Sequence, residues 1–321
     1  LLPNGSEGGL GDIDSGAGTA TTVATGSVAN FFKPGADGPL TYKFTGTAAQ
    51  LPLLKSGGVD VTYDVKDTII TATAGIKPVF TMTLDPDTGI WTFTLQGPVD
   101  HPEGLDENDI TISFHGFVSA TDQDGDSVQT FGSIFVTVDD DMPRAIRAGS
   151  TSGTVDEDFL PGGINDDSQP GDFPGGSLTA SGSVTGLFQP GADTPLTYKF
   201  LNDDTLLPAL KSGGVDVTYT ITATSVVAVA GLTPVFTLTL NVTTGAWLFT
   251  LQGVLDHPLA DTEDDITINF GAITQATDRD GDTVTATGTF SVTVDDDMPR
   301  AIQAGSTSGT VDEDFLPGGI N

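Results

Sequence analysis

The chain has 321 residues, no cysteine and a formal net charge of −33, because it carries 44 acidic residues but only 11 basic ones. The absence of thiols excludes disulfides and thiolate zinc sites. The acidic balance argues against partners such as nucleic acid or an anionic membrane surface. No apolar run reaches the roughly 20 residues of a membrane-spanning helix, so we expect no membrane contact by this segment.

A long internal repeat organises the chain. Its copies lie 156 residues apart: LTYKF at Leu40 and Leu196, LKSGGVDVTY at Leu54 and Leu210, VDDDMPRAI at Val138 and Val294, and SGTVDEDFLPGGIN at Ser152 and Ser308. A repeat of this length can enclose its own core and is not a solenoid coil. We therefore predict a first unit at residues 1–141, a second at 142–297 and the start of a third at 298–321.

From the N-terminus to the C-terminus, the residue patterns predict strands and no helices. Residues 1–18 are rich in Gly, Asp and Ser and predict a loop. Alternation of apolar and polar residues, rich in Val, Ile, Thr and Phe, predicts the strands of each unit. In the second unit these are residues 178–188, 196–201, 215–223, 225–230, 234–240, 246–251, 265–276 and 283–294. In the first unit we expect the strand corresponding to Thr151–Asp158 to be missing.

These patterns predict an all-β protein. Short strands separated by turn residues, in units of about 150 residues, are typical of tandem antiparallel β-sandwiches of the immunoglobulin-like or cadherin-like kind. Trp91 and Trp247 share strand alternation with Phe93 and Phe249, so we interpret both tryptophans as core residues rather than as sugar-stacking platforms.

The last two predicted strands of each unit are joined by an acidic turn. The sequence is DQDGD at Asp122, Asp124 and Asp126, and DRDGD at Asp278, Asp280 and Asp282. Alternate carboxylates beside a glycine suit a hard cation that takes six to eight oxygen ligands. The spacing is not that of an EF-hand loop. A purely acidic turn without metal would explain one such copy.

The direction of the strands predicts that further acids lie near the acidic turn of the second unit. The last strand of a unit ends at its C-terminal pole, so the turn before it lies at the N-terminal pole and faces the preceding unit. We therefore expect three acidic segments to converge at the join between the units: the triplet Asp139, Asp140 and Asp141; the loop with Asp100, Asp106, Glu107 and Asp109; and the turn with Asp278, Asp280 and Asp282. The corresponding set after the second unit is Asp256, Asp295, Asp296 and Asp297, with Asp156 and Asp158 as a further site.

Calcium is the ion that these segments predict. Every ligand is a hard oxygen, and the motifs supply several ligands each, whereas magnesium prefers fewer protein ligands in strict octahedral geometry. Several Ca²⁺ ions are expected at the linker and at the poles of the units. The alternatives are a solvated acidic linker and an adaptation of the whole surface to salt water.

Several motifs together resemble a known family. VDEDFLPGG, DHP followed by acids and DITI, ATDxDGD and VTVDDDMP are similar to the tandem repeats of giant RTX adhesins and biofilm-associated proteins that Gram-negative bacteria export by type I secretion. The resemblance implies extender domains, Ca²⁺-stabilised β-sandwiches that hold a distal ligand-binding region away from the cell surface. It also implies interdomain ligand roles for Asp139, Asp141, Asp278, Asp280 and Asp282. The GGxGxD array of that family does not occur here.

Three function classes were compared. An enzyme is disfavoured because His101 and His257 precede prolines in acidic loops, where a structural hydrogen bond is the usual role, and His115 has Gly271 as its counterpart. Glycan- or surface-binding repeats are an alternative, but they need exposed aromatic residues. Near-identical repetition favours a non-catalytic spacer, whose partners are calcium and the neighbouring repeats of the same chain. We expect a monomer.

Overall fold

The computed structural model describes residues 21–102, 108–164, 175–259, 264–299, 308–312 and 317. Within these ranges the regular structure consists of β-strands and six short 3-10 helices. The 3-10 helices are Ala29–Phe31, Ala48–Gln50, Glu157–Phe159, Thr185–Leu187, Asp204–Leu206 and Gly271–Ile273. In this part of the chain, no helix is long and apolar enough to span a membrane.

The first unit contains eleven described strands. They are β1 (Val23–Ser27), β2 (Thr41–Phe44), β3 (Lys55–Ser56), β4 (Val59–Lys66), β5 (Ile69–Ala74), β6 (Lys77–Leu84), β7 (Ile90–Leu95), β8 (Ile110–His115), β9 (Val118–Thr121), β10 (Ser127–Gln129) and β11 (Ser133–Val138).

The second unit contains fourteen described strands. They are β12 (Arg144–Ala145), β13 (Ser150–Asp156), β14 (Thr179–Ser183), β15 (Phe188–Gln189), β16 (Thr197–Phe200), β17 (Lys211–Ser212), β18 (Val215–Thr222), β19 (Ser225–Ala230), β20 (Thr233–Leu240), β21 (Ala246–Leu251), β22 (Ile266–Asn269), β23 (Thr274–Thr277), β24 (Thr283–Thr285) and β25 (Thr289–Asp295).

The two units share one sheet plan. A six-stranded antiparallel sheet has the order β1-β7-β6-β5-β4-β3 in the first unit and β14-β21-β20-β19-β18-β17 in the second. Facing it are the strands β10-β9-β2 and β11-β8 in the first unit, and β16-β23-β24 and β13-β25-β22 in the second. The additional pair β12-β15 lies near the start of the second unit. The protein is therefore an all-β chain of tandem sandwiches.

Each unit has its own hydrophobic core between the sheets. In the first core, Phe80 of β6 lies edge-on to Phe114 of β8, with ring centroids 6.5 Å apart. In the second core, Phe236 of β20 meets Phe270 at 6.2 Å in the same geometry. Aromatic pairs of this kind add about 0.5–1.5 kcal/mol to the burial of their apolar surface. The inward-facing residues of the alternating strands thus form the two cores.

Three of the strands predicted from alternation are interrupted. The predicted strand 265–276 is two strands, β22 and β23, separated by the 3-10 helix Gly271–Ile273, and 283–294 is likewise divided into β24 and β25. The chain changes sheets at both breaks, since β22 pairs with β25 and β23 with β24. A Cβ on Gly288 would lie 2.3 Å from the carbonyl oxygen of Gly149, so only glycine fits at this crossing. The strand predicted at 178–188 likewise ends at Ser183, and a 3-10 turn follows.

One strand of the second unit departs from antiparallel pairing. β13 runs parallel to β25 with seven residues in register, from Ser150 opposite Thr289 to Asp156 opposite Asp295. At its centre, a Cβ on Gly153 would lie 2.6 Å from Cβ of Ala180 and 3.0 Å from Cη2 of Trp247. The indole Nε1 of Trp247 donates to Oγ1 of Thr151 at 3.0 Å. Close packing against Trp247 therefore requires glycine at position 153.

We expect Gly153→Val to lower the unfolding free energy of the second unit by about 1–3 kcal/mol, the usual range for overpacking a core. Thermal unfolding followed by the near-ultraviolet circular dichroism of the tryptophans measures the change. Gly309→Val is the matched control, because it lies in the same sequence context and a Cβ there would meet no atom within 4 Å. Equal melting temperatures for the two variants would contradict the packing argument.

Candidate metal centre at the join between the units

The acidic triplet after β11 reaches into the second unit. Asp140 is buried, and its Oδ1 lies 3.1 Å from Nδ1 of His101 and accepts a hydrogen bond from the amide of Asp141 at 2.8 Å. The Oδ2 atom of Asp141 accepts a hydrogen bond from the amide of Ala192 in the second unit. The triplet is thus fixed on both sides of the join. Asp139 is half-buried.

The acidic turn between β23 and β24 has a fixed local geometry. Oδ1 of Asp278 accepts hydrogen bonds from the amides of Gly281 at 3.2 Å and Asp282 at 2.8 Å. The amide of Asp278 also donates to the carbonyl of Asp282 at 3.0 Å. Gly281 has a φ of +113°, a left-handed conformation that favours glycine. The DxDGD spacing therefore folds into a tight turn that holds its three carboxylates together.

The turn meets the first unit at His101. Oδ2 of Asp280 accepts a hydrogen bond from the backbone amide of His101 at 3.0 Å and lies 4.0 Å from its Nδ1. Nε2 of the same ring lies 3.3 Å from the carbonyl of Val138, at the end of β11. The triplet and the turn are thus brought together, and the third predicted segment meets them through His101 rather than through one of its described acids.

One acid of this cluster, Asp193, was not predicted from the sequence. Asp193 is 3% exposed, and its carbonyl accepts a hydrogen bond from the amide of Arg279 in the acidic turn. Burial raises the pKa of its carboxyl to about 8, and the charges of Asp280 and Asp140 add to the increase. The available signal was the repeated tripeptide GAD, which ends at Asp37 in the first unit and at Asp193 in the second.

Several carboxylate oxygens in the cluster are buried without a hydrogen-bond partner. They are Oδ1 of Asp193, Oδ2 of Asp278, Oδ1 of Asp280 and Oδ1 of Asp282. Ligand atoms of Asp278, Asp280 and Asp282 lie within 4.8 Å of one another, as do those of His101, Asp140 and Asp280. A buried charged group without a partner is costly. The donor set therefore fits a hard, oxygen-binding cation.

The titration behaviour reflects the same crowding. Burial raises the pKa of Asp278 to about 8, with contributions from a hydrogen bond and the charge of Asp280. Burial likewise raises the pKa of Asp282 to about 7, helped by the charge of Asp140. Burial lowers the pKa of His101, but the hydrogen bond and charge of Asp140 outweigh it and raise the pKa to about 9. The cluster thus favours neutralisation, by protons or by a cation.

The first unit carries the same turn with its carboxylates more exposed. Oδ1 of Asp122 accepts hydrogen bonds from the amides of Gly125 at 3.2 Å and Asp126 at 2.8 Å, as Asp278 does in the second unit. The carboxylates of Asp122, Asp124 and Asp126 also have ligand atoms within 4.8 Å of one another, but Asp124 and Asp126 are exposed. Local sequence therefore determines the turn, whereas contact between the units buries it.

Two predicted ligands have another role. Both carboxylate oxygens of Asp100 accept hydrogen bonds from the amides of Gly57 and Gly58, at 2.5 and 2.6 Å. Asp256 binds the amides of Gly213 and Gly214 in the same way, at 2.6 and 2.7 Å. These glycines have positive φ angles, and their adjacent amides converge on one carboxylate. In the structure Asp100 and Asp256 thus each hold a tight turn, and their assignment as ion ligands stays a prediction.

The remaining acids of the first loop do not add to the described cluster. Asp109 is exposed, and Asp106 and Glu107 lie outside the described residues. Their neighbour Asn108 contacts the cluster instead, since its amide lies 3.5 Å from Oδ2 of Asp140.

A second cluster lies at the opposite pole of the second unit. Nε2 of His257 lies 3.6 Å from Oε1 of Glu157 and 3.8 Å from Oδ1 of Asp296. The predicted ligands Asp156, Asp158 and Asp295 are buried beside this group, whereas Oδ1 of Asp297 accepts a hydrogen bond from the amide of Ile164 at 3.2 Å.

His257 was not predicted as a member of this cluster, whereas Glu157 belongs to the segment 155–158 that was predicted as a further site. Burial raises the pKa of Glu157, while the nearby ring of His257 opposes the shift. His257 and Asp296 are the counterparts of His101 and Asp140, 156 residues later. The second cluster therefore repeats the first-unit side of the join.

A family model without an assigned activity matches part of the chain. Residues 12–134 match the family described as Domain of unknown function (DUF5801), which is less than half of the chain. No curated protein matches the chain. One solved structure with some likeness is the crystal structure of the CupB6 tip adhesin from Pseudomonas aeruginosa, at 10% identity and a TM-score of 0.21, covering 80% of this chain and 85% of that one. A TM-score of this size carries no argument about fold or function.

Proposed function

We propose that this chain is a non-catalytic, Ca²⁺-rigidified extender region of a bacterial surface adhesin, which projects a distal ligand-binding region from the cell. One observation carries the proposal. Four buried carboxylates of the second unit, Asp193, Asp278, Asp280 and Asp282, face Asp140 of the first unit across the join. The adhesin context, with attachment, biofilm formation and type I secretion, comes from the resemblance of the sequence motifs.

The charges explain why the join needs a cation. Two like charges 4 Å apart repel by roughly 4 kcal/mol at an effective dielectric of 20, and this join gathers five carboxylates. His101 supplies one compensating positive charge when it is protonated. The carboxylates of Asp140, Asp193, Asp278, Asp280 and Asp282 would hold the ion. Bound calcium supplies the positive charge that neutralises the remaining acids.

The mechanical role follows from where the ligands lie. They come from both units, so the bound ion would couple the two sandwiches and restrict bending between them. Strands of up to eight residues, such as β6 and β20, give each sandwich a length of about 26 Å before its loops are added. Each added unit would then lengthen the rod, so its length grows with the number of repeats.

The main alternative, glycan- or surface-binding repeats, has less support from the described side chains. Trp247 lies in the second core, and Trp91 is half-buried beside the first. Among the large aromatic residues that are described, Phe131 and Phe135 are mainly exposed, and their counterparts Thr287 and Ser291 are not aromatic. An aromatic platform is therefore not repeated between the units.

Removal of calcium should make the chain flexible at the join. With a chelator, we expect small-angle X-ray scattering to give a broader pair-distance distribution and a changed maximum dimension. Thermal unfolding should shift downward, because an ion bound only by the folded state stabilises it by about 2.7 kcal/mol at one hundred times its Kd. Magnesium at equal ionic strength is the control. Identical scattering curves with calcium and with chelator would contradict the extender proposal.

Removing one charge from each of the two acidic turns distinguishes an effect on the join from an effect on the turn alone. Asp280→Asn should weaken calcium binding measured by isothermal titration calorimetry and loosen the join in scattering. Asp124→Asn is the matched control, because it occupies the same turn but is exposed and faces no described residue of a preceding unit. We expect it to leave the angle between the units unchanged. Equal effects of the two variants on that angle would show that the turn acts within one unit.

Without metal, the join should close as the pH falls. The pKa values of Asp193, Asp278 and Asp282 are raised to about 8, 8 and 7 and that of His101 to about 9. The closed state therefore binds more protons than the open state between about pH 4 and pH 9, so closure is favoured at pH 5.5 and is lost as the pH rises to 9. The lowered pKa of Asp140 acts in the opposite direction but is a single group.

Spin labels can report this closure because the chain has no native cysteine. Thr62→Cys and Thr218→Cys place labels at exposed, equivalent positions of β4 and β18. In chelator, the distance distribution should be narrow at pH 5.5 and broad at pH 9, and calcium should keep it narrow at pH 9. A distance distribution that does not change with pH in chelator would contradict the proposed link between protonation and closure of the join.

A further inference from the structure

Three side chains from separate segments of the second unit meet at the pole where β25 ends. Glu157 follows β13, His257 lies in the loop after β21, and Asp296 follows β25. The side chains of Glu157 and His257 are 3% exposed, and that of Asp296 is 18% exposed. Their ligand atoms all lie within 4.8 Å of one another. The structure thus brings one imidazole and two carboxylates together in a buried group.

A backbone carbonyl fixes the ring of His257. Its Nδ1 lies 2.5 Å from the carbonyl oxygen of Asp264. A carbonyl only accepts hydrogen bonds, so Nδ1 carries the proton, and Nε2 of the neutral ring keeps its lone pair. Nε2 faces the two carboxylates and has no hydrogen-bond partner among the described residues. A buried polar atom in this position calls for a ligand.

The distances suit a shared metal ion better than direct hydrogen bonds. Nε2 of His257 lies 3.6 Å from Oε1 of Glu157 and 3.8 Å from Oδ1 of Asp296. Hydrogen bonds from nitrogen to oxygen are usually about 2.7–3.2 Å long. Two ligands of a tetrahedral zinc ion, each about 2.0–2.2 Å from the metal, lie about 3.4 Å apart. One ion between the three groups would therefore require only small movements.

Further hydrogen bonds hold the two carboxylates in place. Oε1 of Glu157 accepts a hydrogen bond from the amide of Leu255 at 2.6 Å, two residues before His257. Oδ1 of Asp296 accepts one from the amide of Asp297 at 3.0 Å. Partners of this kind orient the ligands of a metal before it binds. The three side chains are thus already positioned toward a common point.

The same residue types are arranged differently at the join between the units. There the ring of His101 is turned the other way, with Nε2 3.3 Å from the carbonyl of Val138 and Nδ1 3.1 Å from Oδ1 of Asp140. The shorter distance is typical of a direct ion pair. The tripeptide DHP, present in both units, therefore does not by itself produce the geometry around His257.

We propose that Glu157, His257 and Asp296 form a site for a divalent cation of the zinc type, separate from the calcium site at the join. Calcium takes six to eight oxygen ligands, whereas an imidazole with two carboxylates suits zinc. Three protein ligands leave a fourth position for water. The ion would tie the ends of β13 and β25 to the loop after β21, and so link the two sheets of the second sandwich. The proposal does not depend on the extender function.

Calorimetric titration of the full chain with Zn²⁺, in an excess of calcium, tests the site. We expect one Zn²⁺ per chain that the calcium does not displace. His257→Asn should weaken this binding about tenfold or more, since loss of a partner that only supports a metal ligand already costs about that much. Asparagine keeps a donor where Nδ1 stands but has no counterpart of Nε2. The control is His115→Asn, which removes an exposed histidine and should leave the affinity unchanged.

Two further measurements separate loss of the site from loss of the fold. NMR of the imidazole nitrogens should show Zn²⁺ shifting Nε2 of one of the three histidines, and this signal should be absent in His257→Asn. Asp296→Asn has nearly the same shape and leaves the ring untouched. It should also weaken Zn²⁺ binding, and it should reduce the rise in melting temperature that Zn²⁺ gives the unchanged chain.

Absence of saturable Zn²⁺ binding would overturn the proposal and identify the group as an ion pair of protonated His257 with two acids. Displacement of Zn²⁺ by an equal concentration of calcium would do so as well, because it would indicate a site made of oxygens alone. Loss of binding in His101→Asn but not in His257→Asn would place the ion at the join instead.

Discussion

Carboxylates are buried where the two sandwiches meet, and this burial governs the contact between them. Each sandwich has its own apolar core, and apolar packing alone would hold the units as independent bodies. The join is different, because Asp193, Asp278, Asp280 and Asp282 lose water on contact with the segment that ends in Asp140. Desolvation and like charge both act against ionisation there, as the raised pKa values of Asp193, Asp278 and Asp282 show. The relation between neighbouring units is therefore governed by whatever neutralises these acids.

The two copies of the acidic turn separate local from tertiary causes. Asp122 and Asp278 accept hydrogen bonds from equivalent amides at nearly the same distances, so the DxDGD sequence itself sets the turn. The carboxylates of the first turn remain largely in solvent, while those of the second are buried. The same local turn is thus exposed in the first unit and buried in the second, where the end of the first unit packs against it.

The repeat and the alternation of residues were enough to predict an all-β chain and most of its strands. They could not reveal the change of sheet at Gly271 and Gly288, because β22 and β23 both alternate and the break lies in a close backbone crossing. Among the acidic residues, too, some roles can be predicted from the sequence and others cannot. Clusters such as Asp139 to Asp141 are visible in sequence, whereas Asp193 stands apart from other acids and is marked only by the repeated tripeptide GAD. A carboxylate that binds a cation also has the same sequence signature as Asp100, whose oxygens bind two glycine amides.

The strand β13 shows why sequence units and structural units need not coincide. It comes directly after the linker, yet it completes the sheet that ends with β25, the last strand of the same unit. The first and last strands of the unit are therefore side by side, with Asp156 opposite Asp295 in the second acidic cluster. The β13–β25 ladder therefore runs from the linker to the acidic cluster at the far pole of the second unit, and it depends on a glycine that lets β13 lie against Trp247.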